Sequence, residues 1–520
     1  MDLLLGLDLG TTNIKGAAYD LAGTPLALTS RPTPTVTQGP RQAHHDPEAL
    51  WAETVAVLRE LVSRAPSSGR ILGLAIASIG EAGLPLDAQG QPLYPIIAWY
   101  DERTAPQAAW WAQEVGAEAI YRLTGLPLGH TFTLNKLLWL RAAEPEVYAR
   151  MRRWLCVSDY LAYRLTGEGC MGYSLASRTM ALDLRRRCWS AEMLSWAGVE
   201  PALLPELRPE GSLVGTVTPE AARATGLLQG TPVYVGGHDH VCGALASGVF
   251  EPGIVLDSTG TTEAELTTMT EIGERLEAAE MSFCLGCHVL PERYYVIGSV
   301  LGAGSTLQWL AELLWPEAPQ DREGALHRLT EEAASSPLGA RGLYLLPHLA
   351  GAGSPQRDAT ARGVWVGLSV GHGRADLARA AMEGLAFELR LLWEALERFT
   401  GHPLDRVIVV GGGARNRFWT QIKADVTGRP LFLPQQSEAV TLGAALLAGL
   451  GAGVYAGPEE LPHLLRRGHV TRVVPQRESR QRYDRRYRLL MDRVRPLAAQ
   501  LSHLGPLLDR DDAQPDDASA

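Results

Sequence analysis

Short apolar runs that end at glycine-containing turns recur at the start of this 520-residue chain. Residues 3–9 form the first run, residues 14–19 the second and residues 25–30 the third, with turns at 10–13 and 20–23 between them. Apolar segments of this length, bounded by turn residues, are typical of β-strands. The pattern therefore predicts an antiparallel meander of three strands.

A helical pattern follows at residues 50–64. It is preceded by Asp46, a preferred helix cap, and by Pro47, which suits a first helical turn. Strands and helices then mix without strict alternation, which predicts an α/β fold. Further strands are predicted at 71–79, 233–235 and 407–410, and further helices at 106–115, 134–143, 416–426, 437–450 and 477–495.

A second strand–turn unit, at residues 253–262, repeats the order of the first: an apolar strand, an aspartate, a glycine and two threonines. Its Gly260 lies 250 positions after Gly10. Such triplets also occur by coincidence in loops, but their matching places in two similar halves favour a duplicated domain. The length also suits two α/β domains. We predict domains at 1–245 and 246–500, with a disordered, acidic tail at 501–520.

Composition and charge exclude some kinds of binding partner and some locations. The net charge of −10 argues against a nucleic-acid partner, because binding a polyanion requires a basic face. No apolar run reaches the roughly 18–20 residues that span a bilayer, and the start of the chain does not resemble a signal peptide. We therefore expect a soluble, cytoplasmic protein.

Six cysteines are too few for a disulfide scaffold in a chain of this length. Cys284, Cys287 and His288 match the pattern of covalent haem attachment, but that use requires export. A second pair that would complete a four-thiolate zinc site is missing. Reduced, packed thiols are the expectation.

The two threonine turns have the features of phosphate sites. Gly10 permits close approach of the backbone, and the N–H groups and hydroxyls of the turn can meet phosphate oxygens. Asp8, at the end of the preceding strand, is placed to hold Mg²⁺. The turn at Gly260 and Thr261 would contact the phosphates from the opposite domain. Neither the P-loop pattern nor a dinucleotide-binding GxGxxG occurs in the sequence.

Asp239 follows an apolar strand and two glycines, near the junction of the two halves. A carboxylate at such a place suits a general base. If the segment is a strand end, His238 and His240 lie on the opposite side from Asp239, because neighbouring residues alternate faces. A transition-metal site at these histidines is a minor alternative, and His240 is a candidate substrate contact. Three consecutive glycines, 411–413, could let a flat adenine lie against the backbone.

Together these segments resemble the FGGY family of carbohydrate kinases, over nearly the whole chain to about residue 455. LDLGTTNIKG resembles the first phosphate turn, VGGHDHVCGAL the segment with the catalytic aspartate, and DSTGTTE the second phosphate turn. VVGGGARNRFWTQIKADVTGRPL and EAVTLGAALLAG resemble the adenosine segment, and GVWVGLSVGHGRADLARAAME fits the C-terminal signature. The N-terminal signature is only partly matched, because Ala142 replaces a polar residue.

The resemblance implies two ribonuclease-H-like (actin-like) domains that close on ATP, Mg²⁺ and a small sugar or polyol, and a possible homodimer. It implies that Asp239 is the base and that Asp8 and Asp239 are associated with magnesium. The implied phosphate and ATP contacts are Gly10, Thr11, Thr12, Asn13, Lys15, Gly260, Thr261, Gly304, Gly412, Gly413 and Asn416.

The acceptor side is less defined. Gly80 and Glu81 stand where glycerol kinases carry Arg-Glu, and the resemblance implies that Glu81 accepts hydrogen bonds from substrate hydroxyls. Gly80 in place of the arginine counts against glycerol. The Met-His-Gly of xylulose kinases is also missing, which counts against xylulose. Trp99 resembles a tryptophan that lines the sugar pocket, and a core aromatic is the alternative. Asp101 and Arg103 are expected to form a structural ion pair.

The sequence thus predicts a kinase that transfers phosphate from ATP to a terminal primary hydroxyl of a small sugar or polyol, with Asp239 as base. An actin-like ATPase and a sugar-responsive binding protein are the alternatives. The ATPase would need no base for an organic alcohol. The binding protein would normally carry a DNA-reading motif.

Overall fold

The structure is a computed structural model that describes residues 1–39, 41–66, 69–277, 283–316, 322–435, 438–465 and 470–504. Most of the predicted tail, including the acidic stretch 509–520, and the first residue of the helix predicted at 437–450 lie outside the described residues. Among the described residues, no helix is long and apolar enough to cross a membrane.

A six-stranded sheet forms the centre of the first half, in the order β14-β15-β6-β1-β2-β3. Strands β1, β2 and β3 are the predicted antiparallel meander, and β6 and β15 run parallel to β1. The strands are β1 (Asp2–Leu9), β2 (Asn13–Tyr19), β3 (Pro25–Pro32), β6 (Arg70–Ser78), β14 (Leu213–Thr216) and β15 (Pro232–Tyr234).

The sheet of the second half repeats this arrangement, in the order β18-β19-β17-β16-β22-β23-β24. Strands β16, β17 and β19 are antiparallel neighbours, while β22 and β23 continue the sheet in parallel with β16. The predicted duplication is therefore confirmed by strand order and direction. The strands are β16 (Ile254–Thr259), β17 (Glu263–Met269), β18 (Cys284–Cys287), β19 (Tyr294–Val300), β22 (Arg406–Val410), β23 (Leu431–Pro434) and β24 (Val470–Val473).

Smaller sheets extend the first half and the edge of the second. A five-stranded sheet consists of β4 (Val36–Thr37), β5 (Ala43–His45), β7 (Gly83–Leu86), β8 (Ile96–Ile97) and β9 (Arg153–Cys156). Three two-stranded sheets pair β10 (Cys170–Gly172) with β13 (Glu206–Arg208), β11 (Leu182–Asp183) with β12 (Cys188–Trp189), and β20 (Tyr344–Leu346) with β21 (Val364–Val366).

Helices cover both sheets. The first begins as expected, because the Asp46 side chain accepts a hydrogen bond from the N–H of Ala49. The helices of the first half are α1 (Pro47–Arg64), α2 (Ala105–Glu114), α3 (Ala117–Thr124), α4 (Thr133–Ala143), α5 (Pro145–Arg150), α6 (Val157–Thr166), α7 (Tyr173–Ala176), α8 (Ala191–Ala197), α9 (Pro219–Thr225) and α10 (Asp239–Ala246). Those of the second half are α11 (Ala303–Leu314), α12 (Arg322–Ser335), α13 (Arg374–Thr400), α14 (Arg417–Thr427), α15 (Ala439–Gly451), α16 (Leu461–Leu465), α17 (Arg477–Leu489) and α18 (Arg495–Leu501).

Helices α10 and α15 join the two halves in one buried core. This core contains Leu4 of β1, Leu256 of β16 and Leu446 of α15. A Cβ at Gly6 would lie 1.8 Å from the carbonyl oxygen of Thr441, so only glycine lets α15 approach β1 this closely. Helix α15, which is rich in Ala and Leu, therefore packs against the first sheet although it lies late in the chain.

The predicted ion pair of Asp101 and Arg103 is confirmed. The guanidinium of Arg103 binds the buried carboxylate of Asp101, with Nε 2.8 Å from Oδ1. The six cysteines are free thiols, but only four of them are packed as predicted: Cys188 is exposed and Cys284 is partly buried.

Candidate active site

A cavity of about 260 Å³ lies between the two halves. The first half contributes the end of β1, part of β2 and the start of α10. The second half contributes β16, the end of β22 and the start of α15. Four predicted site residues line the cavity together: Asp8, Lys15, Asp239 and His240. The other lining residues are Gly243, Leu256, Ser258, Val410, Gly411, Glu438, Ala439 and Val440.

Asp239 is the first residue of α10 and not the end of a strand. Its Oδ1 accepts a 2.6 Å hydrogen bond from the backbone N–H of His240, and Nε2 of His238 lies 3.3 Å from the same oxygen. The prediction that His238 points away from Asp239 is therefore wrong, because strand alternation does not hold where a helix begins. The rings of His238 and His240 stack, with centroids 5.5 Å apart.

The pKa of the Asp239 carboxyl is raised. Burial is the main cause, and the negative charge of Glu81 adds to it, while His240 and Arg178 act in the opposite direction. A raised pKa makes a carboxylate a better proton acceptor, provided that it is ionised when the acceptor arrives. The position at a helix N-terminus favours that ionised form.

Asp8 lines the same cavity as Asp239 and interacts with it electrostatically. Burial, followed by the negative charge of Asp239, raises the pKa of Asp8 to about 8, although the ammonium of Lys15 acts in the opposite direction. Oδ1 of Asp8 is buried and has no hydrogen-bond partner. Two neighbouring carboxylates with an unsatisfied buried oxygen suit a hard divalent cation such as Mg²⁺, whose charge would offset their repulsion.

Lys15 and Glu438 form an ion pair across the two halves, with Nζ 2.9 Å from Oε2. Both side chains are partly exposed in the cavity, at 34% and 24%. The ammonium is therefore accessible to an anionic group that enters the cavity. Sequence reasoning did not single out Glu438, although it lies in the segment that resembles the adenosine site.

The first threonine turn joins β1 to β2. The N–H of Gly10 donates to the carbonyl of Asn13, at 3.0 Å, and the side chain of Thr12 is exposed. The indole N–H of Trp99 donates to Oγ1 of Thr11, also at 3.0 Å. Trp99 is 37% exposed, so the alternative of a core aromatic is wrong. This tryptophan connects the predicted acceptor side to the first phosphate turn.

The second threonine turn joins β16 to β17 and exposes Gly260, Thr261 and Thr262. Helix α11 holds it from behind: the N–H of Gly304 donates to the carbonyl of Gly260, and the N–H of Ser305 donates to that of Thr261, both at 3.2 Å. Gly304 therefore supports the turn through its backbone.

The predicted adenosine segment is a short 3-10 turn, Gly412–Arg415, that leads into α14. Asn416 caps the helix, because its Oδ1 accepts from the N–H of Trp419 at 3.0 Å, and its Nδ2 donates to Thr330. Both polar atoms of this side chain are thus engaged within the protein. Gly411 lies on the cavity wall beside this turn.

Glu81 on the acceptor side is buried and has a φ of +61°, a left-handed conformation that is uncommon outside glycine and concentrated at functional sites. Its Oε1 accepts a 2.7 Å hydrogen bond from Nε of Arg178. Nη1 of Arg178 is buried without a hydrogen-bond partner. A Cβ at Gly80 would lie 3.1 Å from Cγ of Arg178 and 2.9 Å from the ring of His238. Arg178, which sequence reasoning missed, therefore supplies a guanidinium beside Glu81, in space that a side chain at position 80 would fill.

The aspartate of the second unit does not repeat the role of Asp8. Leu256 and Ser258 line the cavity, so Asp257 between them points to the opposite face of β16. There it contacts Nζ of Lys423, at 3.2 Å, in the interior of the second half. The residue that corresponds to Asp8 at the cavity is Ser258, two positions before the turn glycine in each unit.

Asp257, Glu263 and Glu265 are, among the residues that the structure describes, the one group of three or more metal-ligand side chains within coordinating distance of one another. Lys423 already places an ammonium within this group, where it contacts Asp257 and Glu263. The described part of the chain therefore shows no such group at His238 and His240.

Both halves match one family of proteins. Residues 3–246 match the N-terminal domain of the FGGY family of carbohydrate kinases, and residues 258–452 match its C-terminal domain. The chain belongs to this family. Its two-domain, actin-like α/β fold and its phosphotransferase chemistry, with an alcohol group as acceptor, follow from that membership. The alternatives of an actin-like ATPase and of a binding protein without turnover are thereby not supported.

Individual relatives cover nearly the whole chain. The xylulose kinase of Bacillus subtilis is 31% identical over 463 residues, covering 88% of this chain and 90% of the relative. The glycerol kinase of Citrifermentans bemidjiense is 33% identical over 468 residues, covering 87% and 91%. The crystal structure of xylulose kinase from Rhodospirillum rubrum superposes with a TM-score of 0.85 at 33% identity, covering 95% and 99%.

Proposed function

We propose that this chain is an ATP- and Mg²⁺-dependent kinase that phosphorylates a terminal primary hydroxyl of a neutral ketose or polyol. The observation that carries the proposal is that Asp8 and Asp239 line one cavity, together with Ser258. Asp8 and Ser258 each stand two positions before the glycine of an exposed threonine turn. Phosphoryl transfer depends mainly on positioning and charge neutralisation, which this arrangement can supply.

Asp239 would accept the proton of the attacking hydroxyl at its carboxylate, in line with its raised pKa. The hydroxyls of Thr11, Thr12 and Thr261 and the ammonium of Lys15 would bind phosphate oxygens. Asp8 and Asp239 would hold Mg²⁺, which when bound neutralises charge on the transferred phosphoryl group. Gly412, Gly413 and Asn416 would form the adenosine site.

The charges on the acceptor side favour an uncharged substrate. Glu81 and Arg178 form an ion pair whose charges cancel. Asp239 adds a negative charge, and the buried ammonium of Lys136, which interacts with Glu81, adds a positive one. With no excess of positive charge, this region offers no counter-charge for the carboxylate of a sugar acid. Hydroxyls of a neutral acceptor could donate to Glu81 and accept from Nη1 of Arg178. The presence of Arg178 also weakens the sequence argument against glycerol.

An ADP-release assay over ketopentoses, ketohexoses, pentitols, tetritols, glycerol and aldonates tests the substrate class. We expect acceptor-dependent ADP release with one or more neutral ketoses or polyols. Faster release with an aldonate than with every neutral acceptor would contradict the proposed class, and no acceptor-dependent release would contradict the activity.

The variant Asp239→Asn tests the base. Turnover should fall by about 100-fold or more, while ADP binding and the melting temperature stay close to those of the unaltered protein. Asp87→Asn is a matched control, because Asp87 caps a surface turn of the same half. Near-normal turnover of Asp239→Asn would rule out its role as base.

A further inference from the structure

The second phosphate turn and the adenosine turn share a buried contact at Thr259. This residue is the last of β16, directly before Gly260, and it is fully buried. A Cβ at Gly411 would lie 2.5 Å from the carbonyl oxygen of Thr259, and a Cβ at Gly413 would lie 2.4 Å from its Cγ2. The backbone and the methyl group of Thr259 thus set how closely the adenosine turn approaches.

The hydroxyl of Thr259 is fixed by two charged groups. Nζ of Lys423 donates to Oγ1 at 2.8 Å, and Oγ1 donates to Oδ1 of Asp257 at 2.7 Å. Hydrogen bonds in which one partner is charged are shorter and stronger than neutral ones. With its hydroxyl held from both sides and its methyl against Gly413, Thr259 has little rotational freedom.

Lys423 links three elements around this threonine. It lies on α14, whose cap is Asn416 of the adenosine segment. Its ammonium contacts Asp257 on β16 and Glu263, the first residue of β17 after the phosphate turn. One side chain therefore ties the strand before the turn, the strand after it and the helix that follows the adenosine turn.

The buried charges around Lys423 depend on one another, so the loss of one of these side chains would disturb the others. Burial on its own would lower the pKa of Lys423, but Asp257 and Glu263 raise it to about 12, so the side chain stays cationic. Burial raises the pKa of Glu263 to about 8, and the carboxyl of Glu265 accepts a 2.7 Å hydrogen bond from the indole N–H of Trp393. Buried charged groups of this kind hold their geometry when every member has its partner.

We propose that Thr259, held by Lys423, is a positioning residue that sets the second phosphate turn and the adenosine turn together and thereby determines nucleotide affinity. The inference rests on the proposed function, which assigns these turns to ATP. It concerns the nucleotide alone, because Glu81, Arg178 and Trp99 on the acceptor side belong to the other half of the chain.

Thr259→Val is the direct test, because valine keeps the methyl that contacts Gly413 and removes only the hydroxyl. We expect the Kd of ADP, measured by titration calorimetry, and the KM of ATP to rise by about tenfold, as the loss of a charge-assisted hydrogen bond implies. The KM of the acceptor should stay unchanged. Thr259→Ser, which keeps the hydroxyl, should restore most of the ADP affinity.

Thr267→Val is the matched control. Thr267 is a buried threonine on β17, and its hydroxyl donates to the carbonyl of Ile254 at 2.8 Å, at the end of the strand pair away from the turn. Thr259→Val should lose at least as much thermal stability as Thr267→Val, because its hydroxyl bonds charged groups, but only Thr259→Val should lose nucleotide affinity. If Thr259→Val does not fold, Thr259→Ala removes the same hydroxyl and serves in its place.

The outcomes separate this inference from the proposed function. Equal ADP affinity in the Thr259 and Thr267 variants, or a parallel rise in the KM values of ATP and acceptor, overturns the positioning role while leaving the kinase assignment intact. An unaltered protein that binds no ADP and releases none from ATP overturns both.

Discussion

The two halves of the molecule use the same strand–turn–strand unit, yet they place its charged residues differently. In the first half, Asp8 and Lys15 face the cavity, where the carboxylate has an unsatisfied oxygen and the ammonium is partly exposed. In the second half, Asp257 is buried on the far side of the sheet, where it binds Lys423 of α14. One unit presents its charged side chains to the cavity, and the other pairs its aspartate inside the protein.

The turn itself accounts for the difference. In the first unit, Leu9 pairs with Ile14, so four residues connect the strands; in the second, Thr259 pairs with Glu263, so three residues connect them. The aspartates also stand two and three positions before their turn glycines. Because side chains alternate faces along a strand, that one-residue difference moves Asp257 from the cavity to the interior. A duplicated backbone can thus give one aspartate that faces the cavity and one that is paired in the interior.

The largest expected effect is on stability, in the second half. Lys423→Met leaves buried carboxylates without their cation, and we expect a loss of about 3–5 kcal/mol in the free energy of unfolding, measured by urea denaturation. Lys15→Met is the matched variant in the first half. It should cost less than about 1 kcal/mol, because Lys15 and Glu438 are partly exposed. Equal losses would remove the distinction between the halves.

The next effect is on turnover, in the first half. Asp8→Asn should lower kcat by about 100-fold and weaken the response to Mg²⁺, without lowering the melting temperature, because burial already disfavours the ionised form of Asp8. Asp257→Asn should do the reverse, with a lower melting temperature and a smaller loss of kcat. The same response in both variants would show that Asp8 is only structural.

The smallest effect concerns Trp99, which lies beside the first turn. Trp99→Phe removes the hydrogen bond to Thr11 and keeps an aromatic ring. We expect the KM values of both ATP and the acceptor to rise about two- to tenfold, since this residue connects the two sides of the first half. A change in only one of the two KM values would contradict that connection.

Local patterns predicted the parts of the structure that depend on neighbours in sequence. The meander, the helix capped by Asp46 and the two turns at Gly10 and Gly260 follow from short apolar runs and from turn and cap chemistry. The position of Asp239 near the junction was predicted from the strand and glycines before it. The prediction of the side on which His238 lies was wrong, because the segment expected to be a strand end is the start of a helix.

The sequence by itself determined the repeated α/β framework, the two threonine turns and the set of residues that resembles a carbohydrate kinase. Only the tertiary structure decided which side chains meet across the chain: Arg178 with Glu81, Glu438 with Lys15, and Lys423 with Asp257. The physical reason is that these pairs are separated by 97, 423 and 166 positions, so no local periodicity records them. They arise where packed elements bring buried or partly buried charges together, because a charge that is removed from water requires a partner.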